Sequence, residues 1–373
     1  MKKIGMMSAV LAVLLMLTGC WDQDLLKNAR LLYGGGFDLA PNGKLLTTFV
    51  IRDMPESEQQ SPKNEIIYAV GNTPREARDK ADDQLSRLLR TYRNRFVLLG
   101  EELAKQDIFP ILDIFYRDPK SALNARIGVT QGKATDMLSL KKVGNVLIEE
   151  EIDELIKSNE ETTTVPKVTL EKIYPVMLDP GEDFVLPYLM HKGNRVDVSR
   201  IAMFHDQRLT GVLSPDESTM CLVLQASKGK LARFTQKISA QNGKSNIKDF
   251  ITFNVDKSKR EMEVSVQPDG QISVKLDLNW KASVEEYPKD HLNGKTMIAQ
   301  LNQLLSKEMT DLAKKTLKKM QNARCDGLGI ARQLMAYHPE TWKKQKENWG
   351  SHYQKVKFDP NIQVEIRKKG IIN

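Results

Sequence analysis

The chain carries three thiols, five imidazoles and 48 carboxylates. One thiol stands in a setting that chemistry requires. Cys20 closes the run Leu17-Thr18-Gly19-Cys20, behind Lys2, Lys3 and an apolar stretch from Ile4 to Met16 broken by Gly5 and Ser8. A basic start, a short apolar run and small residues at a cleavage point make a secretory signal peptide. The run is shorter than the ~20 residues that span a bilayer. Leu-x-Gly-Cys looks like a bacterial lipobox. In that reading residues 1–19 are cleaved, and the Cys20 thiol carries a diacylglycerol in thioether linkage. Two acyl chains are enough for stable anchoring. The other reading of the same layout is an ordinary signal peptide with a chance cysteine.

The remaining groups lack such a setting. Cys221 lies in Met220-Cys221-Leu222-Val223-Leu224, where a thiol behaves as a small hydrophobe. Two free thiols, Cys221 and Cys325, are favoured over a disulfide, which spacing alone does not decide. None of His191, His205, His291, His338 and His352 falls in His-Glu-x-x-His or pairs with another at metal-ligand spacing. There is no Gly-x-Ser-x-Gly elbow and no Cys-x-x-Cys. Gly34-Gly35-Gly36 lacks the spacing of a dinucleotide loop and suggests close backbone packing or a bulge in an edge strand. Asp82-Asp83 and Glu149-Glu150-Glu151 read as solvated helix faces. Trp342 and Trp349 read as core or domain-seam packing. No catalytic residue, metal or cofactor is expected.

The elements that must position these residues follow from patterning. With 373 residues, 40% apolar and 28% charged, the chain has a globular composition and room for two or three domains. No later stretch approaches 18 apolar residues. The net charge of +8 includes Lys2 and Lys3, and its denser patches, such as Lys314-Lys315 and Lys318-Lys319, suit solvated helices near an anionic lipid surface. Export argues against a nucleic-acid partner. Pro41 to Lys44 marks a hairpin turn. Thr73-Pro74-Arg75-Glu76 opens a helix whose apolar face is Ala77, Ala81, Leu85, Leu88 and Leu89. Ile108–Tyr116 is a second helix, stopped by Arg117-Asp118-Pro119, and 145–160 a third. Thr162 to Lys167 and Asp179 to Glu182 read as linkers. Ser214-Pro215-Asp216-Glu217 is another capping box. Pro268-Asp269-Gly270 turns a second strand pair. A long helix spans 295–324, closed by the glycines of Cys325-Asp326-Gly327-Leu328-Gly329, and Ile362 to Arg367 is a last strand. The fold class is α+β: a multi-domain ectodomain of mixed sheets covered by helices, behind a cleaved lipoprotein signal peptide. The expected division is an N-terminal α+β domain at 20–140, a helical connecting subdomain at 141–198 and a C-terminal α+β domain at 199–373.

Several blocks, in order, resemble a known family. The lipobox followed by Trp21-Asp22, the Gly-x-Gly-x-Asp of Gly34-Gly35-Gly36-Phe37-Asp38, and Arg95 to Ala104 continuing to Phe115-Tyr116-Arg117-Asp118-Pro119 are three of them. Ile201-Ala202-Met203-Phe204 to Leu209-Thr210-Gly211, and Gly327-Leu328-Gly329 with His338-Pro339-Glu340-Thr341-Trp342, are two more. Together they are similar to the Ger(x)C family, the C-subunit lipoproteins of spore nutrient germinant receptors. Leu25-Leu26 and Lys27 depart from its acidic-Leu and Asn, and Cys325-Asp326 from its usual residues. The resemblance implies a three-domain α+β ectodomain anchored on the outer face of the spore inner membrane. It implies receptor A and B subunits as partners and no catalytic residues. The function expected is therefore that of a non-catalytic receptor subunit required for germination, with Arg117, Asp118 and Trp342 as candidate partner contacts. The alternative is a substrate-binding lipoprotein of an importer, which shares the lipobox but shows two similar lobes around a cleft.

Overall fold

The computed structural model describes residues 29–53, 62–238, 246–289, 292 and 294–370; Cys20 and the signal segment lie outside them. In chain order the first part contains β1 (Ala29–Leu39), β2 (Leu45–Asp53), β3 (Lys63–Gly71), α1 (Pro74–Asp82), β4 (Leu88–Arg90), β5 (Phe96–Gly100), α2 (Glu101–Ala104), α3 (Phe109–Arg117), β6 (Arg126–Thr130) and α4 (Ala134–Leu138). The short pair β7 (Lys142–Val143) and β8 (Val146–Leu147) precedes α5 (Ile148–Glu161) and α6 (Leu170–Met177). Three strands then follow, β9 (Val185–Lys192), β10 (Arg195–His205) and β11 (Arg208–Leu213).

All of these strands but the separate β7–β8 pair make one nine-stranded sheet in the order β11-β10-β9-β6-β5-β1-β2-β3, with β4 paired to β1. Its centre is parallel, from β1 through β5 and β6 to β9, and its flanks are antiparallel hairpins. Helices fill the parallel connections, as parallel crossovers require. The turn at Pro41 to Lys44 is present, with Gly43 at φ +75°.

The second part contains α7 (Pro215–Leu224), β12 (Arg233–Lys237), β13 (Phe250–Val266), β14 (Ile272–Glu286), α8 (Lys295–Asn322), α9 (Ile330–Tyr337), α10 (Pro339–Gln345), α11 (Trp349–Tyr353) and β15 (Lys357–Lys368). Its sheet runs β12-β13-β14-β15, with β15 parallel to β14. Strand β15 forms one edge, and α8 answers its outward amides. Asn302, Ser306 and Thr310, one turn apart on α8, accept hydrogen bonds from the backbone N–H groups of Ile366, Val364 and Ile362 at 3.0, 2.9 and 3.0 Å. An edge satisfied in this way offers no template for pairing with another chain. The main core joins the two parts: Val185, Ile201, Met203 and Leu213 of the first sheet pack in one cluster with Phe234, Phe253, Trp280 and the apolar face of α8.

The fold is α+β, as the patterning implies, and several local expectations are corrected. Helix α1 ends at Asp82, so Leu85, Leu88 and Leu89 do not continue its face. The Asp82 carboxylate accepts the Leu89 N–H at 2.6 Å, and Leu88–Arg90 turns away as a strand beside β1. The three glycines lie in β1 inside the sheet, not at an edge, although the bulge between Leu32 and Gly34 is there. Glu149 is no solvated acid: it is fully buried on α5, bound by Arg52 and Asn64. The stretch Thr162–Lys167 is packed rather than open, with Thr163 and Val165 buried and Thr163 Oγ1 hydrogen-bonded to the Leu231 carbonyl and the Gly229 amide. Residues 141–198 hold α5 and α6 but also β9 and the first part of β10, both strands of the nine-stranded sheet.

The stop of α8 is also made differently. Arg324 takes the left-handed conformation at φ +57°, the Cys325 N–H reaches the Met320 carbonyl at 3.0 Å, and the Arg324 N–H reaches Gln321 at 2.9 Å. This is the hydrogen-bond pattern of a Schellman stop, with arginine in the place usually given to glycine. Gly329, at φ +70°, instead precedes the first residue of α9.

Candidate functional site

The expected contact residues stand in different settings. Arg117 ends α3 with its side chain 79% exposed, and its Nε donates to Asp113 at 2.7 Å. Asp118, next in the chain, is turned inward. It accepts from Arg78 Nη1 of α1 at 2.9 Å and from the Lys120 amide at 2.9 Å, tying α1 to the end of α3. Trp342 is half-buried on α10 and meets Trp349 edge-on, with ring centroids 5.7 Å apart at 69°. Arg117 and Asp118 thus belong to the nine-stranded part and Trp342 to the helices beyond α8; the fold does not gather them into one site.

Asp38, at the end of the Gly-x-Gly-x-Asp run, is buried and structural. Its carboxylate accepts from the backbone N–H of Ala134 and Thr135, both at 2.8 Å, and from Thr135 Oγ1 at 2.6 Å. It thereby caps α4 from a distant strand and satisfies donors that a helix start leaves open. The glycines before it admit their neighbours: a Cβ on Gly34 would lie 2.3 Å from the Phe96 ring, and one on Gly36 2.8 Å from Ala134 Cβ.

A buried polar cluster lies where the two parts meet. Asp183, just before β9, accepts from the Asp326 amide at 2.8 Å and sits 3.1 Å from His205 Nδ1 on β10. Asp326, fully buried, accepts from the Ile330 and Ala331 amides at 2.9 and 2.8 Å and from the Trp349 indole at 3.0 Å. It therefore caps α9 and pins α11 at once. Gly350 makes room for the histidine, since a Cβ there would lie 2.4 Å from His205 Nε2. Asp183, His205, Asp326 and Trp349 line a cleft of about 360 Å³. Burial and the nearby Asp183 push the Asp326 carboxyl up to about 8, against the three donors that favour its charge. Burial lowers the His205 imidazole, but the Asp183 and Asp206 carboxylates together raise the group above its ordinary value. The oxygens of Asp326 are engaged by internal donors, so the cluster works as a clasp between β9, β10, α9 and α11.

Cys221 and Cys325 are free, buried thiols. Cys221 Sγ lies 3.9 Å from Met320 Sδ, and burial pushes the Cys221 thiol up to about 12. Among the described residues, no group of three or more His, Cys, Asp or Glu could hold a metal ion. Among them, too, no helix is long and apolar enough to cross a membrane.

A family model described as the spore germination protein N-terminal domain matches residues 22–190, and one described as spore germination B3/GerAC like, C-terminal, matches residues 199–370. The chain belongs to the Ger(x)C family. Spore germination protein GerQC of Bacillus cereus is 24% identical, over 95% of this chain and 96% of its own length. Spore germination protein B3 of Bacillus subtilis is 22% identical over the whole of both chains. The crystal structure of the GerBC protein has the same fold, with a TM-score of 0.59 at 17% identity, covering 91% of this chain and 99% of that one. Of the Ger(x)C blocks, Gly34 to Asp38 packs the first sheet and the Gly327 to Gly329 turn sits beside the Asp326 clasp. The clasp itself escaped the sequence reading. Its available signal was an aspartate four residues ahead of the apolar run Ile330-Ala331, the place of a helix-capping acid.

Proposed function

We propose that this chain is the non-catalytic C subunit of a nutrient germinant receptor, required for spore germination. It is held on the outer face of the spore inner membrane by diacylglycerol on Cys20 and acts through contact with receptor A and B subunits. One observation carries the reading: both family models match in order, from residue 22 to residue 370, directly behind the lipobox. Two features support it. The seam acids are spent on internal donors, as expected of a protein that binds rather than catalyses. The nine-stranded and four-stranded sheets are unlike each other, whereas the importer reading expects two similar lobes.

The test is deletion of the gene, complemented with the wild-type chain or with Cys20→Ala. Germination in response to a nutrient should be lost on deletion with sporulation intact. Wild type should restore it and partition into detergent, and Cys20→Ala should remain unprocessed or aqueous. Unchanged germination with every nutrient, together with reduced uptake of one of them, would make the importer the correct reading.

A further inference from the structure

A second and larger cleft, of about 640 Å³, opens between the two sheets, in the size range of small-molecule pockets. Its charges do not balance. Three acids reach it, and each is already engaged. Glu160 takes Arg126 Nε at 2.8 Å, Glu182 takes Arg332 Nη1 at 2.7 Å, and Asp183 holds His205. Four further cations line it without a carboxylate within ion-pair distance among the described residues: Lys167, Lys172, Lys228 and Arg260.

Arg260, on β13, is the most telling of them. Its Nε is buried with no hydrogen-bond partner among the described residues, and its Nη2 rests on the Met262 sulfur at 2.9 Å, a weak acceptor. Burial pulls the guanidinium below its ordinary value, with Glu182 alone opposing from beyond ion-pair reach. Among the described residues Lys228 reaches only the backbone carbonyls of Gly229 and Lys230, both at 3.2 Å, and burial lowers it as well, with Asp256 opposing. Desolvating a cation without a counter-charge is unfavourable, and a fold gains nothing from doing so twice in one cleft. The cost is offset once an oxyanion enters, since the guanidinium fork matches carboxylate and phosphate geometry.

We propose that this cleft binds a small organic anion, whose carboxylate or phosphate group is seated on Arg260 and Lys228. Apolar neighbours such as Phe184 and Leu328 flank the rest of the ligand. The site is independent of whether the chain serves in a receptor complex.

The test uses the full mature chain in detergent, with citrate as the carboxylate probe and glycerol 3-phosphate as the phosphate probe. Melting temperature and calorimetric binding are read against chloride at matched ionic strength. At least one probe should raise the melting temperature through binding to the folded state, and the responding probe tells which oxyanion the site prefers. Arg260→Met should weaken that binding roughly tenfold or more. Without ligand it should melt at the same temperature as wild type or higher, because an unanswered cation has been removed. A structural arginine would behave oppositely, its loss lowering the melting temperature. Should the methionine variant not fold, Lys228→Gln decides: it should weaken the same probe while its ligand-free melting stays unchanged. The proposal is overturned if neither probe stabilises the protein beyond chloride, or if the variants bind as wild type does.

Discussion

In the nine-stranded part, Arg52 and Arg126 sink among carboxylates that answer them; at the seam, Arg260 and Lys228 sink without such answers. Arg52 donates to Glu149 and Glu150, and Arg126 to Glu160 and Asp153. Both guanidinium groups are held above their ordinary value by these acids, although burial alone would lower them. The contrast separates two uses of buried charge. A closed network fixes one arrangement of α5 against β2 and β6 and leaves nothing over for a ligand. An open one carries a desolvation penalty that only something from outside can relieve.

The largest effect expected from breaking this contrast comes from the closed side. Arg52→Ala strands Glu149, which has no exposed surface and among the described residues keeps only Asn64 as a side-chain donor. Removing one partner of a buried pair costs about 3–5 kcal/mol. The urea midpoint should fall accordingly, with the slope unchanged. If Arg52→Ala and Arg260→Met move the midpoint alike, the distinction between answered and unanswered charge collapses.

A smaller effect belongs to the clasp, which stands between the two cases because its acid is buried but fully donated to. Asp326 has a folded pKa of about 8, well above an unfolded aspartate near ~3.9. Between those values the folded state holds a proton that the unfolded state lacks, so stability falls as pH rises, by about 1.4 kcal/mol per pH unit from this group. His205 acts in the same sense. Its raised folded pKa gives stability present below ~6.5 and lost as pH climbs through the folded value. Melting temperature should therefore drop from pH 6 to pH 9, and Asp326→Asn should flatten the drop. A wild-type melting temperature that rises over this range would mean that the three donors, not burial, govern Asp326.

How much of this was legible depended on the range of the interaction. The hairpin at Pro41 to Lys44, the Ser214 capping box and the long helix α8 are set by residues within a few positions of one another, and each appears where the pattern puts it. What failed was decided by distant partners. Leu88 and Leu89 keep a helical spacing after Ala77 and Ala81, but β1 offers them a strand partner and Asp82 draws the chain round. Glu149 sits in an acidic triplet that looks solvated; only the fold brings Arg52, 97 residues away, against it. Thr162 to Lys167 has the composition of a linker, yet Thr163 is claimed by Leu231, 68 residues on. Arg260 follows the polar run Asp256-Lys257-Ser258-Lys259 in β13, and its partial burial is a property of the seam. Patterning reports a residue's neighbours in the chain, whereas buried charge is a matter of neighbours in space.

The smallest effect on stability, and the sharpest on function, is expected at the exposed end of the comparison. Of the three candidate partner contacts, two already have internal employment. Asp118→Ala would release Arg78 and loosen α1 from α3. Trp342→Ala would remove an aromatic pair worth about 0.5–1.5 kcal/mol beyond its buried area. A germination defect in either variant could follow from lost folding alone. Arg117 is different, because its contact is an exposed pair with Asp113, one turn back on its own helix, and such pairs contribute little. Arg117→Ala should melt as wild type does. Arginine is enriched at interface hot spots, so if α3 meets a receptor subunit, the same variant should bring down less of the A and B subunits with a tagged chain. Copurification unchanged in Arg117→Ala but reduced in Trp342→Ala, at equal melting temperature, would move the contact surface from the nine-stranded part to the helices beyond α8.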